Sequence, residues 1–396
     1  MKILKARNTD SLIYIFLSLI IILFANNKYI PYIFPILISI LIILSQKKRI
    51  NVPWICLVFI LIACDSLLLS CLRISIYTSI KAGLQEFIRN NIYILVIIIV
   101  SNIRLSMDQY RKIWLSMLFL MILIQIFQLF KILNINYILA NIYDEESINL
   151  RTAQVYNISS LSLFRAGSVF INPNQYSRII LLILCIILGY DIPYGSYNKS
   201  NRLKNITKIV LVTISLILTG SRTAFVIFII LLVFYRNNLY KYRRLIAIAL
   251  IFLFCISNYL NINLSELRFT KIHEGISNSI VVKFNNLGSL ISQFNPYNII
   301  LGVGPFNEFK PGLTAIDFDL GYLYAYYGIF GIVLYVALFC YLIKSSEGHH
   351  RELVEGFLIV LLFSAITGGI MLNLRVFCTA ITIIFVKIDE DSLLTE

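Results

Sequence analysis

VPWICLVFILIACDSLLLSC, residues Val52 to Cys71, holds one charged side chain, Asp65, in an otherwise apolar run. Wound as a helix, about twenty such residues cross the hydrocarbon core of a bilayer. Runs of the same kind recur along the chain, and they are continuous rather than alternating. They therefore read as helices and not as the strands of a membrane barrel. The sequence specifies an all-α, polytopic integral membrane protein, with one membrane domain over residues 1–396. Composition agrees: 59% of the residues are hydrophobic and 14% are charged, against about a quarter charged in a soluble chain.

About twelve transmembrane helices are expected. They are Ser11–Ala25, Tyr29–Ser45, Val52–Cys71, Asn90–Ile103, Ile113–Ile132, Gln175–Tyr190, Ile209–Thr219, Thr223–Tyr235, Leu245–Leu260, Leu320–Ile343, Leu353–Ile370 and Val376–Ile388. The seventh and eighth are short and read as a tight hairpin turning at Gly220 and Ser221. The N-terminal run lacks a clear small-residue cleavage site, so it reads as an uncleaved first span.

Lysine and arginine set the orientation. They cluster at Lys2, Lys5 and Arg7; at Lys47, Lys48 and Arg49; at Arg104, Arg111 and Lys112; at Lys199, Arg202, Lys204 and Lys208; at Arg236, Lys241, Arg243 and Arg244; and at Lys344, Arg351 and Lys387. These clusters fall on alternate loops, which puts both termini in the cytoplasm. The same rule explains most of the +14 net charge, so no nucleic-acid partner is implied. The seven cysteines lie in or at the ends of apolar spans, with no CxxC pair. They read as small hydrophobes, with no disulfide framework and no zinc site.

Three loops then lie outside: Leu72–Arg89, Leu133–Asn174 and Asn261–Asp319. The last is the longest segment not built for lipid, and loops of that length usually carry function. Within it Leu264, Leu267, Ile272, Ile276, Ile280, Phe284, Leu287, Ile291 and Phe294 recur every three or four residues, the pattern of an amphipathic helix at the membrane surface. Asn263 with Glu266 reads as its capping box, and Asn295–Pro296 as its end.

The outer arginines are the informative residues, because the charge rule disfavours them there. They are Arg73, Arg89, Arg151, Arg165, Arg178, Arg222, Arg268 and Arg375. A guanidinium at the hydrocarbon edge either clamps phosphate oxygens or reaches up to lipid head groups. Arg73 and Arg89 flank a loop and read as solvated. Gly220-Ser221-Arg222 reads either as an anion-binding turn or as a capped hairpin, and Asn174 as a helix cap. LGVGP (Leu301–Pro305) lacks the following Lys-Ser/Thr of a phosphate loop, so its glycines are expected to serve a sharp turn. Asp317 and Asp319 precede a span. Asp319 reads equally as a general base for a sugar hydroxyl or as a helix cap. Asp65, costly within a span unless it is paired or near the outer surface, reads as structural with Arg73 as a candidate partner, and His273 reads as solvated. No metal-ligand motif is present, and no cofactor is implied.

Four segments, FINPNQYSR (Phe170–Arg178), LTGSRTAF (Leu218–Phe225), NPYNIILGVGPFNEF (Asn295–Phe309) and DLGYLYAYYGIFGIVLY (Asp319–Tyr335), resemble in order and spacing the O-antigen polymerase and ligase superfamily. They span about the second half of the chain. The resemblance implies a GT-C-like glycosyltransferase of the bacterial inner membrane. It implies undecaprenyl-diphosphate-linked oligosaccharides as substrates on the periplasmic face, the lipid bilayer as surroundings, no metal, and a chain-length regulator protein as partner. By position it implies that Arg165, Arg178, Arg222 and Arg268 bind the diphosphate; given that chemistry, Asp319 is expected to take the acceptor proton, with Arg268 serving the transfer step. Ligases of the superfamily carry a histidine near the end of the long loop. Asp319 stands where it is expected, which favours a Wzy-type polymerase making O-antigen or capsule over an O-antigen ligase acting on lipid A core. A polysaccharide flippase or solute transporter is the non-enzyme alternative, and no internal repeat of the transporter kind is present.

Overall fold

A computed structural model of the chain describes residues 2–24, 50–72, 80–130, 132–143, 167–170, 172–191, 199–239, 281, 284–285, 287–289, 291–292, 294–305, 318–345, 350–371 and 373–389. Its helices, in chain order, are α1 (Lys2–Phe24), α2 (Ile55–Leu72), α3 (Ile80–Asn102), α4 (Met107–Leu129), α5 (Ile135–Tyr143), α6 (Pro173–Ile186), α7 (Lys199–Thr219), α8 (Arg222–Phe234), α9 (Arg236–Leu239), α10 (Pro296–Leu301), α11 (Asp319–Ser345), α12 (His350–Thr367) and α13 (Leu374–Ile384). Two short strands, β1 (Arg104–Ser106) and β2 (Lys387–Asp389), pair in parallel. Among the described residues five helices are long and apolar enough to cross a membrane, with three shorter apolar ones beside them. The protein is thus mostly helical with membrane-spanning segments. The expected spans Tyr29–Ser45 and Leu245–Leu260 lie outside the described residues.

Several helices start before the expected spans, α1 at Lys2, α4 at Met107 and α7 at Lys199 among them, and two further differences have particular physical reasons. The helix expected from Asn90 begins at Ile80, because the alternation of polar and apolar residues in IKAGLQEFIRNN fits one more helical stretch. The span expected to reach Ile388 ends as a helix at Ile384 and becomes strand β2. At about 1.5 Å per residue, α13 is too short to cross the bilayer core alone.

The chain divides into two compact units. The first comprises Met1–Tyr110, Ser279–Gly348 and Ser364–Glu396. Within it α2 lies against α3 at a close approach, where a side chain on Gly83 would run into Ser70. Small residues at such a crossing let helix backbones come together where hydrophobicity cannot drive association. Ser66 and Ser70 return their hydroxyls to the Ala63 and Ser66 carbonyls, both at 2.8 Å, which keeps the contact free of open donors. The C-terminal end of α13 leaves carbonyls that no later helical amide reaches. The Tyr14 and Tyr110 hydroxyls donate to two of them, Thr382 O at 2.6 Å and Ile383 O at 2.7 Å. The outward faces of α2 (Leu57, Leu61, Leu68) and α11 (Phe330, Val333, Val336) stay exposed, as lipid-facing helix surfaces do.

The second unit comprises Arg111–Asn278 and His349–Phe363. Its centre is α6, continued by a π-helical turn at Ile187–Asp191. The window Pro173–Tyr190 is 89% buried, which makes it a core helix rather than a lipid-facing one. Ser168, held at a positive φ of 51°, starts the approach to α6. Gln128 brackets it, accepting from its amide at 2.8 Å and donating to its carbonyl at 3.2 Å. Ser215 of α7 donates to Gln125 Oε1 at 2.6 Å and sits 3.1 Å from the Tyr176 hydroxyl. A satisfied polar network of this kind fixes helix register in a core that is otherwise apolar.

Candidate functional site

In the second unit the first two motifs meet. Asn172 caps α6, accepting from the Asn174 amide at 3.0 Å, and Pro173 follows at the first helical position. The cap is therefore Asn172 and not Asn174: the proline fixes the helical φ, so capping falls to the residue before it. Ser221 caps α8, its hydroxyl accepting from the Ala224 amide at 3.4 Å, after Gly220 has turned the chain at φ 59°. The Ser221 amide goes to Thr219 Oγ1 at 3.3 Å. The turn is thus a capped hairpin, with that amide used internally. Arg178, one and a half turns into α6, is 1% exposed and donates through Nη2 to Thr223 Oγ1 at 3.1 Å. It is not a head-group arginine. Arg222 occupies the first position of α8. Arg178 thus ties the second turn of α6 to the first turn of α8, and helix starts of this kind, with an arginine near them, favour an anion.

In the first unit the other two motifs meet. Asn295 caps α10, so Asn295–Pro296 opens a short helix as well as closing the preceding one. Residues 281, 284, 285, 287–289 and 291 are helical, which covers the end of the expected amphipathic helix; its start, with Asn263 and Glu266, lies outside the described residues. Helix α11 is broken at Gly328, at φ 57° and ψ −139°. The break frees carbonyls that an unbroken helix would pair with residues 329 and 330. The LGVGP backbone takes them over: Val303 N donates to Ala325 O at 2.9 Å and Gly304 N to Tyr326 O at 3.1 Å. A Cβ on Gly302 would meet Tyr327 N at 2.5 Å, and one on Gly328 would meet Gly302 N at 2.6 Å. The glycines therefore serve close backbone docking in addition to a turn.

Asp319 begins α11 and is 0% exposed. Its Oδ2 accepts from Ile370 N and its Oδ1 from Met371 N, both at 2.9 Å. The Met371 carbonyl in turn accepts from the Tyr93 hydroxyl at 3.1 Å. The carboxylate therefore braces the turn before α13, a role that neither of its sequence readings, base or cap, describes. Asn373 caps α13, accepting from the Arg375 and Val376 amides at 3.1 Å. Arg375 is 0% exposed, so it too is a core arginine. Asp65 lies within α2, and its Oδ2 is sealed with no hydrogen-bond partner among the described residues.

One cluster was not read from the sequence. Arg89 and Asn90 each sit one helical turn after Glu86 on α3, with Glu86 and Asn90 buried. Glu86 Oε1 accepts from the Arg89 guanidinium, from the Tyr322 hydroxyl at 2.8 Å, from the Tyr327 hydroxyl at 2.5 Å and from Asn90 Nδ2 at 3.3 Å. The Arg89 guanidinium also lies 5.1 Å from the centre of the Tyr322 ring, a cation–π contact. Arg89 is therefore an engaged residue of a buried cluster, not a solvated loop charge. The signal was present as an i, i+3, i+4 polar set, obscured by the late start assigned to this helix.

Arg73, Arg151, Arg165, Arg268, His273 and Asp317 lie outside the described residues. Among the described residues no group of three or more His, Cys, Asp and Glu side chains could hold a metal ion. No family model and no curated protein matches the sequence.

Proposed function

We propose that the protein is a glycosyltransferase that joins undecaprenyl-diphosphate-linked oligosaccharide repeats into O-antigen or capsular polysaccharide, working on the periplasmic face of the bacterial inner membrane through about twelve spans of a GT-C-like fold. The observation that carries this reading is Arg178 Nη2 at 3.1 Å from Thr223 Oγ1. It joins two sequence-distant motifs at paired helix N-termini, where an anionic diphosphate is favoured. The diphosphate is already a good leaving group, so cations that steady its developing charge supply the main catalytic need. Arg178 and Arg222 supply such charge, with Arg165 and Arg268 from the outer loops. Asp319 and Arg268 are the residues proposed for the transfer step. With both oxygens on backbone amides, Asp319 takes a hydroxyl proton only after that turn lets go.

Deletion of the gene tests the reading on a gel of surface polysaccharide. Loss of the long ladder, with single repeats still attached to lipid or core, is the expected result. Long polymer accumulating on undecaprenyl diphosphate would identify a ligase instead. An unchanged ladder would remove both and leave the flippase or transporter.

A further inference from the structure

The buried Glu86 cluster has a feature that a purely internal ion pair lacks. All four donors that reach the carboxylate among the described residues, Arg89, Asn90, Tyr322 and Tyr327, fall on Oε1, and none falls on Oε2. The side chain keeps 7% of its surface accessible, and Arg89 beside it keeps 20%. Asp319 has neither property: it is 0% exposed and each of its oxygens holds an amide. An ionisable group within a span is costly, and it marks a binding position more often than a packing one. The location supports this. Tyr327 directly precedes the α11 break at Gly328, and irregular backbone inside a membrane protein is tolerated where protein or a water-filled cavity surrounds it. Half-buried Tyr326 adds a ring 4.3 Å from that of Tyr322.

From this geometry we infer that Glu86 Oε2, with Arg89 at its side, binds a hydroxyl pair of the oligosaccharide repeat. One sugar hydroxyl donates to Oε2, and a neighbouring sugar oxygen accepts from the Arg89 guanidinium. The ionised pair makes both bonds charge-assisted. The donors on Oε1 fix the plane of the carboxylate, so Oε2 is presented in one orientation. The inference rests on the polysaccharide reading above, and it assigns a sugar-binding role to α3 and α11, separate from the anion-binding role of α6 and α8.

The test uses the full-length protein in detergent or nanodiscs. The probe is the oligosaccharide repeat released by mild acid from the lipid-linked material of the gene-deletion strain. Binding is followed by titration calorimetry or saturation-transfer NMR. Glu86→Gln keeps the volume and loses the charge, and at least a ten-fold weaker Kd is expected, with Glu355→Gln, in the exposed pair with Arg351 on α12, binding as wild type does. An unchanged Kd for Glu86→Gln would overturn the inference even where the deletion strain has lost its ladder. Loss of the ladder with the inference overturned, or an unchanged ladder, tells the two failures apart. Where Glu86→Gln does not accumulate in the membrane, the wild-type protein serves. Carbodiimide labelling of Glu86 that the oligosaccharide suppresses upholds the subsite, and labelling that is absent or indifferent to the sugar overturns it.

Discussion

The Oδ1 atom of Asp319 lies 2.9 Å from the amide nitrogen of Met371, and Oδ2 lies at the same distance from the amide of Ile370. A residue at the head of one helix thus holds the turn that leads into another. Asp319→Asn replaces one acceptor with a donor that faces an N–H. The buried amide then loses its partner, at a cost of about 1–3 kcal/mol. Thermal unfolding of the purified protein is expected to show a lower Tm, together with reduced membrane levels. A variant with normal Tm and levels but no polymer would assign Asp319 to the chemistry instead.

Gly302→Ala and Gly288→Ala make an informative pair. Gly302 sits at φ 78°, and its Cβ would press into the backbone of Tyr326 and Tyr327, whereas a Cβ on Gly288 meets nothing within 4 Å. The first substitution is strained on both counts and is expected to cost at least about 1–3 kcal/mol. The second adds a better helix former at an open position and is expected to be neutral or slightly stabilising. A thiol-reactive dye melt of the two proteins reads the difference. Equal Tm values would mean that the LGVGP backbone does not dock on α11.

The bilayer-length helices were legible because twenty apolar residues have few alternatives in any solvent. What stayed hidden depended on partners far away in sequence. Ile80 begins α3, yet Lys81, Glu86 and Arg89 made that stretch look like a loop. Its charges are tolerated because Tyr322 and Tyr327, more than two hundred residues later, close over Glu86. The same holds for Arg178 and Arg375. Sequence placed them at span edges, and nothing local revealed that both are buried. Asn172 shows a smaller failure. The cap was legible in NPN, but the proline moved it two residues from Asn174. The LGVGP glycines could be assigned to backbone geometry, while their docking partner could not be read before the α11 break was known.

Thr223→Val is isosteric and removes the acceptor of the Arg178 guanidinium. A hydrogen bond to a charged group is worth about 1.5–3 kcal/mol, and its loss removes the tie between the guanidinium and α8. A shorter ladder is expected at equal membrane levels. Arg178→Lys is expected to do more damage, because an ammonium lacks the planar fork that binds paired oxygens. Ladder length against an immunoblot of the membrane fraction reads both. Full-length polymer from Arg178→Lys would take Arg178 out of diphosphate binding.

Two pairs of helix starts are fixed by contact and do not depend on charge counting. Glu86, near the start of α3, touches Tyr322, near the start of α11, so Ile80 and Asp319 share one face of the membrane. Arg178 touches Thr223, so the starts of α6 and α8 also share a face. Under the proposed orientation, which rests on the lysine and arginine pattern alone, each pair is expected on the periplasmic side and Arg236 after α8 on the cytoplasmic side. Alkaline phosphatase fused after residues 80, 173, 222 and 318 is therefore expected to be active, and after residue 238 to be inactive. Opposite activities at 80 and 318, or at 173 and 222, would contradict the side-chain contacts themselves. Uniform inversion of all five would keep the contacts and overturn the orientation alone.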